Sequence, residues 1–158
     1  MKLPVSNTLE FLAEGLASRL KSMSDETLKN TNRDVVDSDF FARLRREVEL
    51  EISGYVYEVP PGAVGTPFSP KEIQDHLSRM RLCLVDPHWE EVEVRDTFEQ
   101  IQTNVGPMRK CVAIAEDDNG YVLMFDPVEN SYVLAYRNGA RLRTFGIRGD
   151  AVGCFLAR

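Results

Sequence analysis

Between Met108 and Phe145 the chain carries four short apolar segments separated by three turn signals: Asp118-Asn119-Gly120, Asp126-Pro127-Val128-Glu129-Asn130 and Asn138-Gly139. Asn-Gly between apolar runs is a strong hairpin signal, because both central residues of a type I′ turn need φ > 0. The pattern predicts a four-stranded antiparallel meander over residues 109–116, 121–125, 131–136 and 141–145. Two of these segments, 122–125 and 133–136, are apolar almost without a break. Strands that are apolar on both faces are covered on both. Either the helices and the C-terminal tail supply the second cover, or a partner does.

The rest of the chain is read against that sheet. Leu9, Leu12, Ala13, Leu16, Ala17 and Leu20 recur at helical spacing and predict an amphipathic helix capped by Ser6 or Asn7. Residues 22–37 are polar and without period, and read as a long loop. A second helix starts at Asp37 or Ser38, lines one face with Phe41, Leu44, Val48 and Ile52, and ends at Gly54. Residues 55–59 are β-prone until Pro60-Pro61-Gly62 stops them, and residues 60–68 read as a rigid surface connection. Ser69-Pro70-Lys71-Glu72 has the capping residue, the first-turn proline and the acidic third position of a helix start. Ile73, Leu77, Met80 and Leu84 follow on one face of this third helix, and Asp86-Pro87 ends it.

Residues 89–95 alternate Val92 and Val94 with Glu91, Glu93 and Arg95, the pattern of a half-buried strand. Residues 96–102 extend it or form a helical turn. In the tail, Asp150 caps a short helix presenting Val152, Phe155 and Leu156, or residues 151–157 form a last strand. Together these readings predict an α+β fold in which about three mostly N-terminal helices pack on a C-terminal antiparallel β-meander of five to six strands. At 158 residues a single globular domain is expected, helical over 1–88 and sheet over 89–158.

Charge narrows the partners. The net charge of −6 argues against nucleic-acid binding, which rests on Lys and Arg at phosphates. Residues 1–60 carry 8 basic and 11 acidic groups, residues 61–105 carry 4 and 8, and residues 106–158 carry 7 and 6. Glu10 and Glu14 interrupt the N-terminal apolar stretch, and no segment approaches the ~18 apolar residues of a membrane span. A cytoplasmic protein without a membrane partner is expected. Three scattered cysteines, Cys83, Cys111 and Cys154, fit reduced thiols rather than a disulfide framework.

Catalytic signatures are missing. His76, Cys83, Asp86 and His88 lie close in sequence but match no zinc spacing. No Gly-x-Ser-x-Gly occurs, Gly65-Thr66-Pro67 is no phosphate loop, and residues 117–120 lack the ligand pattern of a calcium loop. No catalytic residue, metal or cofactor is therefore assigned. The surface is more informative. Glu90, Glu91, Glu93, Asp96 and Glu99 form the densest acidic patch, either a solvated strand face or a docking surface for a basic partner. Arg137, Arg141, Arg143 and Arg148 either protect an edge strand by charge or hold an acidic ligand.

Residues 111–126 (CVAIAEDDNGYVLMFD), with Tyr132-Val133-Leu134-Ala135-Tyr136 after them, resemble the sheet of SUKH-type immunity domains. Those domains show an apolar-Ala, acidic, Gly, apolar, Asp hairpin followed by a further strand. The resemblance implies a non-enzymatic bacterial protein that neutralises a toxin by binding it. The leading expectation is thus a protein-binding domain for a basic toxin, with Glu90, Glu91, Glu93, Asp96, Arg141 and Arg143 as the candidate contact residues. An enzyme or small-ligand protein built from His76 or His88 beside carboxylates is the second expectation. A self-associating structural subunit of a larger assembly is the third.

Overall fold

The computed structural model describes residues 7–59 and 61–158, with side chains in the first helix described at 18–22, at 26 and from 33 onward. The chain divides into two compact units, Met1–Phe40 and Phe41–Arg158.

Helix α1 runs without interruption from Asn7 to Gly54, so residues 22–37, expected to be a loop, are helical. Nothing in that stretch breaks a helix: it has neither proline nor glycine. Near its C-terminal end Val35 and Val36 are more than half exposed. An absent apolar period argues against burial, not against helix. The expected N-terminal apolar face and its cap, from Ser6 to Ala17, lie outside the described residues and side chains; Leu20 is exposed.

In the second unit the C-terminal end of α1 buries Leu44, Val48 and Ile52, as the spacing requires. Residues 55–59 form no strand. Their β propensity has no neighbouring ladder to join, and Tyr57 instead packs on Phe68, with ring centroids 5.8 Å apart. Helix α2 (Pro70–Cys83) begins with the expected capping box, Ser69 and Glu72 each accepting the other's backbone N–H. It ends at Cys83, before the expected Asp86-Pro87 stop. The chain passes directly into strand β1 (Leu84–Glu93), whose register shifts between Leu84 and His88. That irregularity brackets Pro87, which has no N–H to give a ladder.

Helix α3 (Phe98–Thr103) takes the helical alternative for residues 96–102. Strands β2 (Met108–Glu116), β3 (Tyr121–Asp126), β4 (Ser131–Asn138) and β5 (Arg141–Gly149) follow, and helix α4 (Ala151–Leu156) closes the chain with Asp150 as its N-cap. The sheet is a closed barrel in the order β1-β2-β3-β4-β5. It is not wholly antiparallel. Five strands joined in succession alternate in direction, so the first and last point the same way. Closure is accordingly parallel, through Glu93 opposite Arg143.

The Asn-Gly turns differ from type I′. Between β2 and β3 only Gly120 has positive φ; Asp117 accepts the Gly120 N–H at its carbonyl and the Asn119 and Tyr121 N–H groups at its carboxylate. This is a type I turn followed by a left-handed glycine. Between β4 and β5 Gly139 alone has positive φ, at the first central position, as in type II′.

Closure explains the doubly apolar strands. Val92, Val94, Cys111, Ala113, Val122, Met124, Val133, Ala135 and Leu142 fill the barrel. Val112, Ile114, Leu123 and Leu134 alternate with them and are equally buried. Helix α4 packs on β3, β4 and β5, and α2 on β2, bringing Val152, Phe155, Ile73, Leu77 and Met80 out of water. The helices and the tail thus cover the outer face. Among the described residues, no helix is long and apolar enough to cross a membrane.

Candidate functional site

Strand alternation decides which charges surround the closing seam. On β1, Val92 points into the barrel, so Glu91 and Glu93 point outward. On β5, Leu142 and Thr144 are buried, which sends Arg141 and Arg143 outward. Parallel pairing of Glu93 with Arg143 then sets a row of acids against a row of arginines. A cleft of about 450 Å³ opens there, lined by Glu91, Glu93, Met108, Ala140, Arg141 and Leu142. Three of the six candidate contact residues therefore line one cleft, and Arg143 sits on the seam beside it.

The acidic candidates separate by what holds them. Arg137 donates to both Glu90 oxygens, at 2.6 and 3.0 Å, and to both Glu116 oxygens, at 2.8 and 3.3 Å. These hydrogen bonds hold the Glu90 carboxyl below the ordinary range against the cost of burial. Glu93 accepts from Arg95 Nε at 3.0 Å and from the Gly106 N–H at 3.0 Å. Burial opposes its ionisation, but these bonds and the nearby Arg143 charge outweigh that and lower its pKa. Asp96 pairs with Arg148 at 2.8 Å. Glu91 is exposed and makes no ion pair among the described residues.

The basic candidates divide in the same way. Arg137 and Arg148 belong to internal networks; Arg148 also reaches the fully buried Asp126 at 3.0 Å, which Arg109 approaches at 2.7 Å. Arg141 is exposed and makes no ion pair among the described residues. Arg143 is half-buried, and its Nε has no hydrogen-bond partner among them.

Met108, Ala140 and Leu142 give the cleft its apolar lining and carried no chemical signal in the sequence. Only the barrel's register brings them beside Glu91. The Arg137 clamp was equally hidden, since Glu90 and Glu116 lie 47 and 21 residues away from it.

Neither histidine lines the β1/β5 cleft, and His88 stands beside a carboxylate. His76 packs against Phe68, ring centroids 5.1 Å apart, beside a second cleft of about 320 Å³ lined by Tyr55, Val56, Tyr57, Phe68, Pro70, Ile73 and Gln74. His88 Nδ1 lies 2.9 Å from the Asp86 carbonyl and its Nε2 3.7 Å from Glu90. Neither lines either cleft. Among the described residues, no three of His, Cys, Asp and Glu converge as metal ligands.

No protein-family model matches the chain, and no curated protein or solved structure is detectably similar to it.

Proposed function

We propose that the chain is a non-enzymatic protein-binding domain of the cytoplasm whose docking site is the β1/β5 cleft and whose partner is a basic protein. Glu91 carries this reading. The neighbouring acids Glu90, Glu93 and Asp96 are neutralised by arginines within the fold, whereas Glu91 stands exposed at the cleft and makes no ion pair among the described residues, with Lys110 opposite it in the β1/β2 ladder and Arg141 across the cleft. A carboxylate so placed, beside the exposed apolar side chain of Met108, has the make-up of an interface: an apolar centre with a charged rim that steers a complementary partner. A bacterial immunity role against a basic toxin is the particular form of this function that the SUKH-like hairpin at residues 111–126 supports.

The test is a photo-crosslinking amino acid placed at Ala140, on the cleft, and separately at Val128, an exposed turn residue. Irradiation in the native host is expected to give an adduct with a basic protein from position 140 and not from position 128. Equal adducts from both positions, or adducts only with acidic proteins or nucleic acid, overturn the proposal.

A further inference from the structure

The second cleft, of about 320 Å³, shares no lining residue with the β1/β5 cleft. One wall is the segment that leaves α1, with Tyr55 and Tyr57; the other is Phe68 with the Pro70, Ile73 and Gln74 face of α2. The Tyr57 and Phe68 rings stand 5.8 Å apart and tilted by 51°, so they form a corner rather than a stack. The Phe68 N–H donates to the Tyr57 hydroxyl at 3.4 Å and ties the two walls together. His76 packs edge-on against Phe68 and steadies that ring. None of the three aromatic rings is fully buried: Phe68 is 38% exposed, and Tyr55 and Tyr57 are half-buried.

Aromatic faces attract a cation through the ring quadrupole. The charges around these rings act in the same direction. Burial and the negative charges of Asp150 and, more weakly, Glu51 raise the Tyr55 pKa, and no cationic side chain offsets them. Among the described residues no lysine or arginine lines the cleft. Of the charged neighbours in sequence, Glu58 and Glu72 are acidic and Lys71 is basic. Glu72 is taken up by the Ser69 capping box, and Lys71 lies roughly 100° round the helix from the face that lines the cleft. We propose that this cleft binds a methylated ammonium group. A plain ammonium brings three N–H donors that need acceptors, and the Tyr57 hydroxyl is already engaged by Phe68. A trimethylammonium needs no acceptor, and its methyl groups suit the apolar Val56, Pro70 and Ile73. A neutral apolar ligand forgoes the attraction of the rings and of the two carboxylates. The site is separate from the proposed protein-docking cleft and adds a ligand to that function.

The experiment titrates the full chain, ¹⁵N-labelled, with four probes: choline, its neutral isostere 3,3-dimethylbutan-1-ol, and one end-blocked peptide whose central lysine is either trimethylated or unmodified. Choline is expected to bind about five-fold or more tightly than the alcohol, and the trimethylated peptide likewise against the unmodified one, the size of a partly desolvated cation–π contact. The shifts should centre on the amides of Tyr55, Tyr57, Phe68 and Gln74 and spare those of Glu91 and Arg141. Tyr57→Leu and Phe68→Leu should each weaken choline binding by a similar factor. Lys71→Glu, at an exposed position that leaves the rings in place, should tighten choline binding about two-fold at low salt without changing the alcohol's affinity or the thermal melt. Tighter binding of the trimethylated peptide than of choline assigns the group to a protein side chain, and the reverse order assigns it to a free small molecule. If the alcohol binds as tightly as choline, the cleft is merely apolar and the proposal falls. It falls equally if the unmodified peptide matches the trimethylated one, if the shifts centre elsewhere, or if neither methylated probe binds at millimolar concentration. None of these outcomes bears on the β1/β5 cleft, whose test is the Ala140 crosslink.

Discussion

Replacing Arg137 by methionine separates what the acidic patch does for the fold from what it does at the cleft. Arg137 holds Glu90 of β1 and Glu116 of β2 in two bidentate pairs, and its side chain is 27% exposed against 25% and 34% for its partners. A fully exposed pair contributes about 0–1 kcal/mol, while charge-assisted hydrogen bonds contribute about 1.5–3. Partial burial places this clamp between those limits. Methionine keeps most of the apolar stem but leaves two carboxylates facing each other, so the expected loss is about 2 kcal/mol at pH 7. Arg137 lowers the Glu90 pKa in the folded state. A depressed carboxyl pKa stabilises the fold above the unfolded value, near 4.3, and that contribution disappears as pH falls through the folded value. Urea unfolding of wild type and Arg137→Met at pH 7 and pH 3.5 should therefore show a gap that narrows in acid. A double-mutant cycle with Glu90→Gln should assign part of it to that pair. A gap below about 0.5 kcal/mol at pH 7, or one of the same size at both pH values, refutes the reasoning.

Further outcomes follow from the same packing. Glu51 accepts the Ala151 and Val152 N–H groups at the start of α4, and its burial, with Asp150 nearby, raises its pKa. Its contribution to stability is complete below the unfolded carboxyl pKa and declines as pH rises through the raised folded value; Glu51→Gln should flatten that decline in melts from pH 4 to 8. A Cβ on Gly106 overlaps the Val94 carbonyl, where Val94 also donates its N–H to Pro107; Gly106→Ala should cost about 2 kcal/mol or more in urea unfolding, on the scale of other backbone clashes. Phe155 is 1% exposed against the outer barrel wall, so Phe155→Ala should cost about 3–5 kcal/mol by the same measurement. Burial pushes the Cys111 and Cys154 thiols up to about 12, while Cys83 is only half-buried. Iodoacetamide at pH 8 should modify native Cys83 first, as read by peptide mass spectrometry.

The sheet was legible because its punctuation is local. Gly120, Asn130 and Gly139 each hold a positive φ at the turns that divide β2 to β5, and residues of that kind mark such turns in any chain. The α2 capping box is local in the same sense. Closure of the barrel was not legible: the Glu93–Arg143 bridge joins residues 50 positions apart, and no periodicity encodes which distant edges meet. The doubly apolar strands carried half of that information, since they required two covers without naming them. Residues 22–37 were misread because a helix without an apolar face shows no period, although nothing in it prevents helix formation. At the site, the sequence placed Glu91 and Arg141 among the outward charges. It could not show that Glu90, Glu93 and Asp96 are held by Arg137, Arg95 and Arg148, because two of those three pairings depend on strands or loops distant in sequence.

The most direct test of a basic partner at the cleft is its affinity, once it is recovered through the Ala140 crosslink, for wild type, Glu91→Lys and Glu90→Gln. The account predicts that Glu91→Lys weakens binding at least ten-fold, with a loss that shrinks as salt rises, whereas Glu90→Gln changes it less than three-fold. A larger effect of Glu90→Gln than of Glu91→Lys, or tighter binding by Glu91→Lys, contradicts it.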